Sequence, residues 1–157
     1  MKLKELRKQY GITQAQAALS VGVPLRTYVR YEEKDAHENL KYQKIVELLN
    51  QKYSISETQG IYSLDKLKEI IVDTLKEYED NVSFCYIFGS YAKGYAKEDS
   101  DIDICINTSL TGLSFIGLIE KLHQNLHKNV DVLRFNDLNN NLELINEIMK
   151  DGIKIYR

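Results

Sequence analysis

The chain has 157 residues, 43% of them hydrophobic, and a formal net charge of −2, which suffices for one ordinary domain or two small ones. No run of about eighteen apolar residues is present, so no membrane-spanning helix is expected, and the opening MKLKELRKQYG lacks the apolar centre of a secretory signal. A cytoplasmic location is the expectation, with Cys85 and Cys105, each inside an apolar run and without CxxC or Cys/His clustering, as reduced core thiols.

The charge is unevenly distributed. Residues 1 to 60 carry ten Lys/Arg against seven Asp/Glu, whereas residues 61 to 157 carry eleven against sixteen. A mildly basic first half fits a nucleic-acid partner, and an acidic second half needs another explanation.

In KLKELRKQ, Leu3 and Leu6 share a helical face, and Gly11 ends that helix just before Thr13, which can cap the next. TQAQAAL follows, its alanines allowing close helix approach, and Ser20-Val21-Gly22-Val23 turns the chain. Pro24 opens a third helix, PLRTYVRYEEK, with Leu25, Tyr28 and Val29 expected inward and Arg26, Thr27 and Arg30 available to a ligand. Two short helices around a glycine-containing turn form a helix-turn-helix, the second helix entering the major groove. The alternative is a small helical bundle used for packing or dimerisation.

LRKQYGITQAQAALSVGVPLRTYVRYE resembles the helix-turn-helix of the phage-repressor (Cro/C1, XRE-like) family. That resemblance places Gln14, Arg26, Thr27 and Arg30 at phosphates and base edges of DNA. ENLKYQKIVELLNQKY completes the helical module, giving a first domain over 1–55. SISETQGIYS contains the expected linker, 56–63, and a second domain over 64–157 opens with SLDKLKEIIVDTLKEY, capped by Ser63 and striped with Leu64, Leu67, Ile70, Ile71 and Leu75.

VSFCYIF, 82–88, has the composition of a strand and leads into Gly89-Ser90 and YAKGYAK, a short helix whose amides and Ser90 hydroxyl suit phosphate oxygens. In DSDIDICIN the isoleucines alternate with Asp101, Asp103 and Cys105, so the two aspartates share a strand face about 7 Å apart. Hard oxygen ligands so placed suit Mg²⁺. NVDVLRF adds Asp131 on another strand, a third carboxylate for a metal-assisted nucleotidyl transfer. Glu98 and Asp99 read as solvated loop charges, and His123 and His127, four residues apart in LSFIGLIEKLHQNLH, as a partly exposed helix face lacking a third ligand.

The spacing GS, ten residues, then D-I-D, with a later strand aspartate, resembles the minimal nucleotidyltransferases of the DNA-polymerase-β superfamily. The resemblance implies an α+β two-domain chain: an all-α helix-turn-helix domain, then an α/β nucleotidyltransferase fold with a small mixed sheet. It implies ATP as substrate and Mg²⁺ as cofactor, Gly89 and Ser90 at the triphosphate, and Asp101, Asp103 and Asp131 at the metals, Asp131 also helping to deprotonate the acceptor hydroxyl. After Asp131 only DLNNNLELINEIMKDG, helix-like, and a closing strand IKIYR follow, so no acceptor domain is expected. Minimal enzymes of this kind resemble the antitoxins of HEPN/nucleotidyltransferase pairs. The resemblance thus implies transfer of AMP to a tyrosine of a HEPN-type ribonuclease toxin, with the helix-turn-helix binding promoter DNA, as a homo-oligomer or a hetero-oligomer with the toxin. The alternatives are a DNA-binding regulator whose transferase domain senses a nucleotide or holds a partner, and a transferase acting on an aminoglycoside-like small molecule.

Overall fold

A computed structural model of the chain describes residues 2–34 and 36–157. The chain divides into two compact units, one ending at Ser54 and the other beginning at Ile55, and the architecture is the α+β two-domain one expected: helices first, then helices with a four-stranded mixed sheet. Among the described residues no helix is long and apolar enough to cross a membrane.

The first unit contains α1 (Leu3–Gln9), α2 (Gln14–Ser20), α3 (Leu25–Glu33) and α4 (Leu40–Tyr53). Thr13 caps α2, its hydroxyl accepting from the Gln16 amide, and Asn39 caps α4. Both caps satisfy amides that the helix itself leaves without acceptors. Leu3, Leu6, Ala17, Ala18, Tyr28, Tyr42, Ile45 and Leu49 form the core. Tyr28, expected inward, is fully buried, and Val29 is half-buried. Leu25 is not inward: it is 48% exposed, and the residue of α3 that enters the core is Tyr28, three positions later.

A two-pronged ion pair ties α1 to α3. Arg7 Nε and Nη2 each donate to Glu32 at 2.9 Å, and Nη1 donates to the Ile12 carbonyl. The guanidinium holds the Glu32 carboxyl below the usual carboxylate range, as expected when hydrogen bonds favour the charged form.

In the second unit, α5 (Leu64–Leu75) precedes β1 (Val82–Phe88), α6 (Gly89–Lys93), β2 (Ile102–Thr108), α7 (Gly112–Leu126), β3 (Val130–Arg134), α8 (Leu142–Asp151) and β4 (Ile153–Tyr156). Ser63 caps α5 as expected. The sheet order is β3-β2-β1-β4, with β2 and β3 parallel and the other pairs antiparallel. Strand alternation sorts the side chains into two layers. Cys85, Ile87, Ile102, Ile104, Ile106, Val130 and Val132 pack with Leu67, Ile71 and Leu75 of α5 and Leu118 and Leu122 of α7. On the opposite face Phe88, Cys105 and Leu133 pack with Ile148 of α8. Both cysteines are buried and free, and burial pushes their thiols up, Cys105 to about 11.

Residues 56–63, expected as a linker, pack within the second unit. Ser56 pairs with Gln59 in an isolated bridge, Ile55 packs on the core, and the buried Tyr62 donates its hydroxyl to the Leu126 carbonyl at 2.8 Å. Lys128 is fully buried, its ammonium donating to the carbonyls of Ser56 at 3.0 Å and Glu98 at 2.6 Å. One cation thus joins this segment to the loop that precedes Asp101. Burial lowers the Lys128 pKa, against the pull of Glu98, Asp99 and Asp101.

Candidate functional site

The alternation that sends the isoleucines of β2 into the core sends Asp103 to the opposite, α8 side of the sheet. Register then chooses its neighbours. Asp103 is opposite Phe88 at the end of β1 and opposite Asp131 on the parallel strand β3. Asp131 is exposed, as is Asp101 just before β2, while Asp103 is half-buried. The two strand aspartates therefore share one sheet face across neighbouring strands, the cross-strand equivalent of adjacent positions.

The chain leaves β1 through Gly89, at φ +68°, directly into the five-residue helix α6. A Cβ built on Gly89 would fall inside the contact envelope of Asp103 Oδ2. Both the left-handed backbone and the lack of space thus demand glycine. Ser90 follows as the second residue of α6, and Gly94, at φ +82°, ends it.

Burial first, and then the charges of Asp131, Asp101 and Glu147 in that order, raise the Asp103 carboxyl to about 6. Charges that raise a carboxyl in this way are like charges held nearby. All three predicted acids thus meet around Asp103, beside Gly89. The donor set is wholly carboxylate oxygen, the set that a hard divalent cation takes, and a cation would remove the repulsion that now bears on Asp103. Among the described residues no three acidic, imidazole or thiol groups already stand at cation-ligating spacing. The residues fit Mg²⁺ by the chemistry of their donors.

Two residues of this corner escape sequence reasoning. Glu147, on α8, accepts a hydrogen bond from Lys93, the last residue of α6, at 2.6 Å. Lys93 lies inside the glycine-serine stretch but has no sequence signal that pairs it with a glutamate 54 positions later. Only the packing of α8 on the β1–β2 face brings them together. His123 pairs with Glu57 at 3.1 Å, and His127 ends α7 in a left-handed conformation. Neither histidine joins the acidic corner.

In the first unit, Arg26, Thr27 and Arg30 line one surface depression on α3 together with Val29 and Glu33. Arg26 and Arg30 are exposed and Thr27 half-buried. Gln14 is elsewhere. It lines a second depression with Lys2, Lys4, Arg7, Glu32 and Glu33, and its side chain hydrogen-bonds Glu32.

Comparison with known proteins agrees with both halves. The family model described as polymerase beta, nucleotidyltransferase, matches residues 69–157, and a helix-turn-helix model matches residues 3–51. Two Methanocaldococcus jannaschii proteins named as protein adenylyltransferases are similar: MJ1215, 39% identical over 80 residues, 48% of this chain and 93% of that protein, and MJ0435, 34% identical over 94 residues, 58% and 90%. A solved toxin-antitoxin structure with AMP-PNP shares the fold at a TM-score of 0.50 and 24% identity, covering 57% of this chain and 72% of that one.

Proposed function

The chain belongs to the polymerase-beta nucleotidyltransferase family, and we propose that it is an antitoxin that transfers AMP from ATP to a tyrosine of a HEPN-type toxin and represses its own promoter. The observation that carries the reading is the meeting of Asp101, Asp103 and Asp131 beside Gly89, a glycine that has no room for a side chain. The protein acceptor is supported by the two relatives named as protein adenylyltransferases, each matched over at least nine-tenths of its length.

In this reading Gly89 and Ser90 receive the triphosphate through backbone amides and the serine hydroxyl, while the three aspartates hold Mg²⁺. The cation supplies charge neutralisation at the phosphates and a fixed orientation for the attacking oxygen. Asp131, the exposed member, orients the acceptor phenol and takes its proton, whose pKa of about 10 would otherwise keep it bound at neutral pH. The phenol oxygen bonds to the α-phosphorus, the bond from that phosphorus to the bridging oxygen breaks, and pyrophosphate leaves with the electron pair. Half-burial of Asp103 limits water around this corner, which strengthens every charge interaction within it.

The first unit supplies the repressor function. Arg26, Thr27 and Arg30, gathered on one face of α3, contact phosphates and base edges of the promoter. A helix-turn-helix reads paired half-sites as a dimer, so two chains per operator are expected. Gln14 contributes by steadying Glu32 or by turning to a phosphate.

The test incubates the protein with labelled ATP, Mg²⁺ and the HEPN-type product of the adjacent gene, then locates the label by mass spectrometry. AMP on a tyrosine of that partner is the expected result. Label on a small molecule only, or none in the presence of the partner, would overturn it.

A further inference from the structure

Lys93 and Glu147 form an ion pair between α6, the helix that opens at Gly89, and α8, and the pair is not a core feature. Their side chains are 27% and 37% exposed, and an ion pair so exposed adds little to stability. Its position is more informative. Lys93 is four residues after Gly89 in α6, so its side chain rises from the same helix face as the proposed phosphate-binding glycine. Glu147 precedes Ile148, which packs against Phe88 and Cys105 on the Asp103 face of the sheet.

We infer that Lys93 binds the triphosphate of the incoming nucleotide and that Glu147 is its resting partner, surrendering the ammonium when the nucleotide arrives. The inference rests on the nucleotidyltransferase reading above. A corner that gathers Asp101, Asp103, Asp131 and Glu147 repels a triphosphate, and Mg²⁺ relieves that repulsion only where the three aspartates stand. Lys93 supplies a positive charge from α6, about one helical turn after Gly89. Before binding, Glu147 keeps the ammonium ordered through a 2.6 Å hydrogen bond, with Asp151 of the same helix adding attraction. On binding, phosphate oxygens offer the ammonium stronger acceptors. Glu147 is then left facing water, which its partial exposure permits.

A latch and a brace differ in sign. If the pair only braced α6 against α8, loss of either partner would weaken nucleotide binding alike. If Lys93 serves the nucleotide and Glu147 competes for it, the two variants move binding in opposite directions. Titration of the full-length protein with Mg-ATP, followed by calorimetry, reads this directly. Lys93→Ala should weaken binding about tenfold or more, Lys93→Arg should restore most of it, and Glu147→Gln should tighten it about threefold. Circular dichroism and melting of both variants should match the wild type. Wild-type affinity in Lys93→Ala, or weakening in both variants, would overturn the inference. Absence of Mg-ATP binding by the wild-type protein would instead remove the nucleotidyltransferase reading and this inference with it.

Discussion

At the residue scale Gly89 and Asp103 occupy one small space. Gly89→Ala should cost stability, since an alanine at φ +68° is strained by about 1 kcal/mol before its Cβ meets the Asp103 carboxylate. Displacing that carboxylate should lower AMP transfer at least about tenfold, measured at saturating ATP and Mg²⁺. Asp103→Asn should have a divided effect. Removing a charge pressed by Asp131, Asp101 and Glu147 should stabilise the fold in chelator by roughly 1 kcal/mol once screening at a half-exposed site is allowed for, read as a higher melting temperature, while abolishing transfer. A melt and a transfer assay on the same preparation check both halves. The acids themselves were legible in the sequence, because alternation in DSDIDICIN separates the isoleucines that fill the core from the aspartates that cannot. Glu147 was not legible. A glutamate on an amphipathic helix looks like any solvated face, and only the tertiary position of α8 places it beside Asp103.

At the scale of single elements, two buried charge arrangements carry the clearest consequences. Glu32 has its carboxyl held below the usual range by Arg7, so its contribution to stability is present above the unfolded-chain value of about 4.3 and is lost as pH falls through the lower folded value. The amides of α1 and α3 should therefore lose hydrogen-exchange protection below about pH 4. Arg7→Met should strand the glutamate, destabilising the helical unit by about 3 kcal/mol at pH 7 and reversing much of that deficit when Glu32→Gln is added. Lys128→Met should leave the carbonyls of Ser56 and Glu98 without their donor, at a cost of roughly 1–3 kcal/mol. Exchange should rise at residues 55–60 and 97–101, and unchanged exchange there would show that the ammonium does not tie these segments. The strands VSFCYIF and the Ser63 cap were readable from local pattern. Tyr62 and Lys128 were not, since each makes its bond to a carbonyl more than 25 positions away, and the composition of 56–63 alone resembles a linker.

At the scale of the whole molecule, division of the chain at Ser54 and Ile55 predicts separable activities. Arg26→Ala and Thr27→Ala should weaken binding to the protein's own promoter, by about 1–3 kcal/mol for a base-edge contact, and leave AMP transfer unchanged. Wild-type promoter affinity should fall steeply with salt, because the free energy gained by releasing condensed counterions on binding shrinks as the bulk salt concentration rises. The two halves were distinguishable in the sequence because their periodicities differ, helical throughout in one and strand-bearing in the other. The acceptor proposed here is a second protein, and no residue pattern in this chain specifies its sequence. The most direct measurement of the central claim is therefore made on the pair. The HEPN-type partner is co-expressed with either the wild-type chain or the Asp101→Asn, Asp103→Asn double variant, and both toxicity and the partner's intact mass are recorded. The account predicts an AMP-modified tyrosine and normal growth with the wild type, and an unmodified, toxic partner with the double variant. Neutralisation by the double variant equal to that by the wild type, with no AMP on the partner in either case, would contradict it.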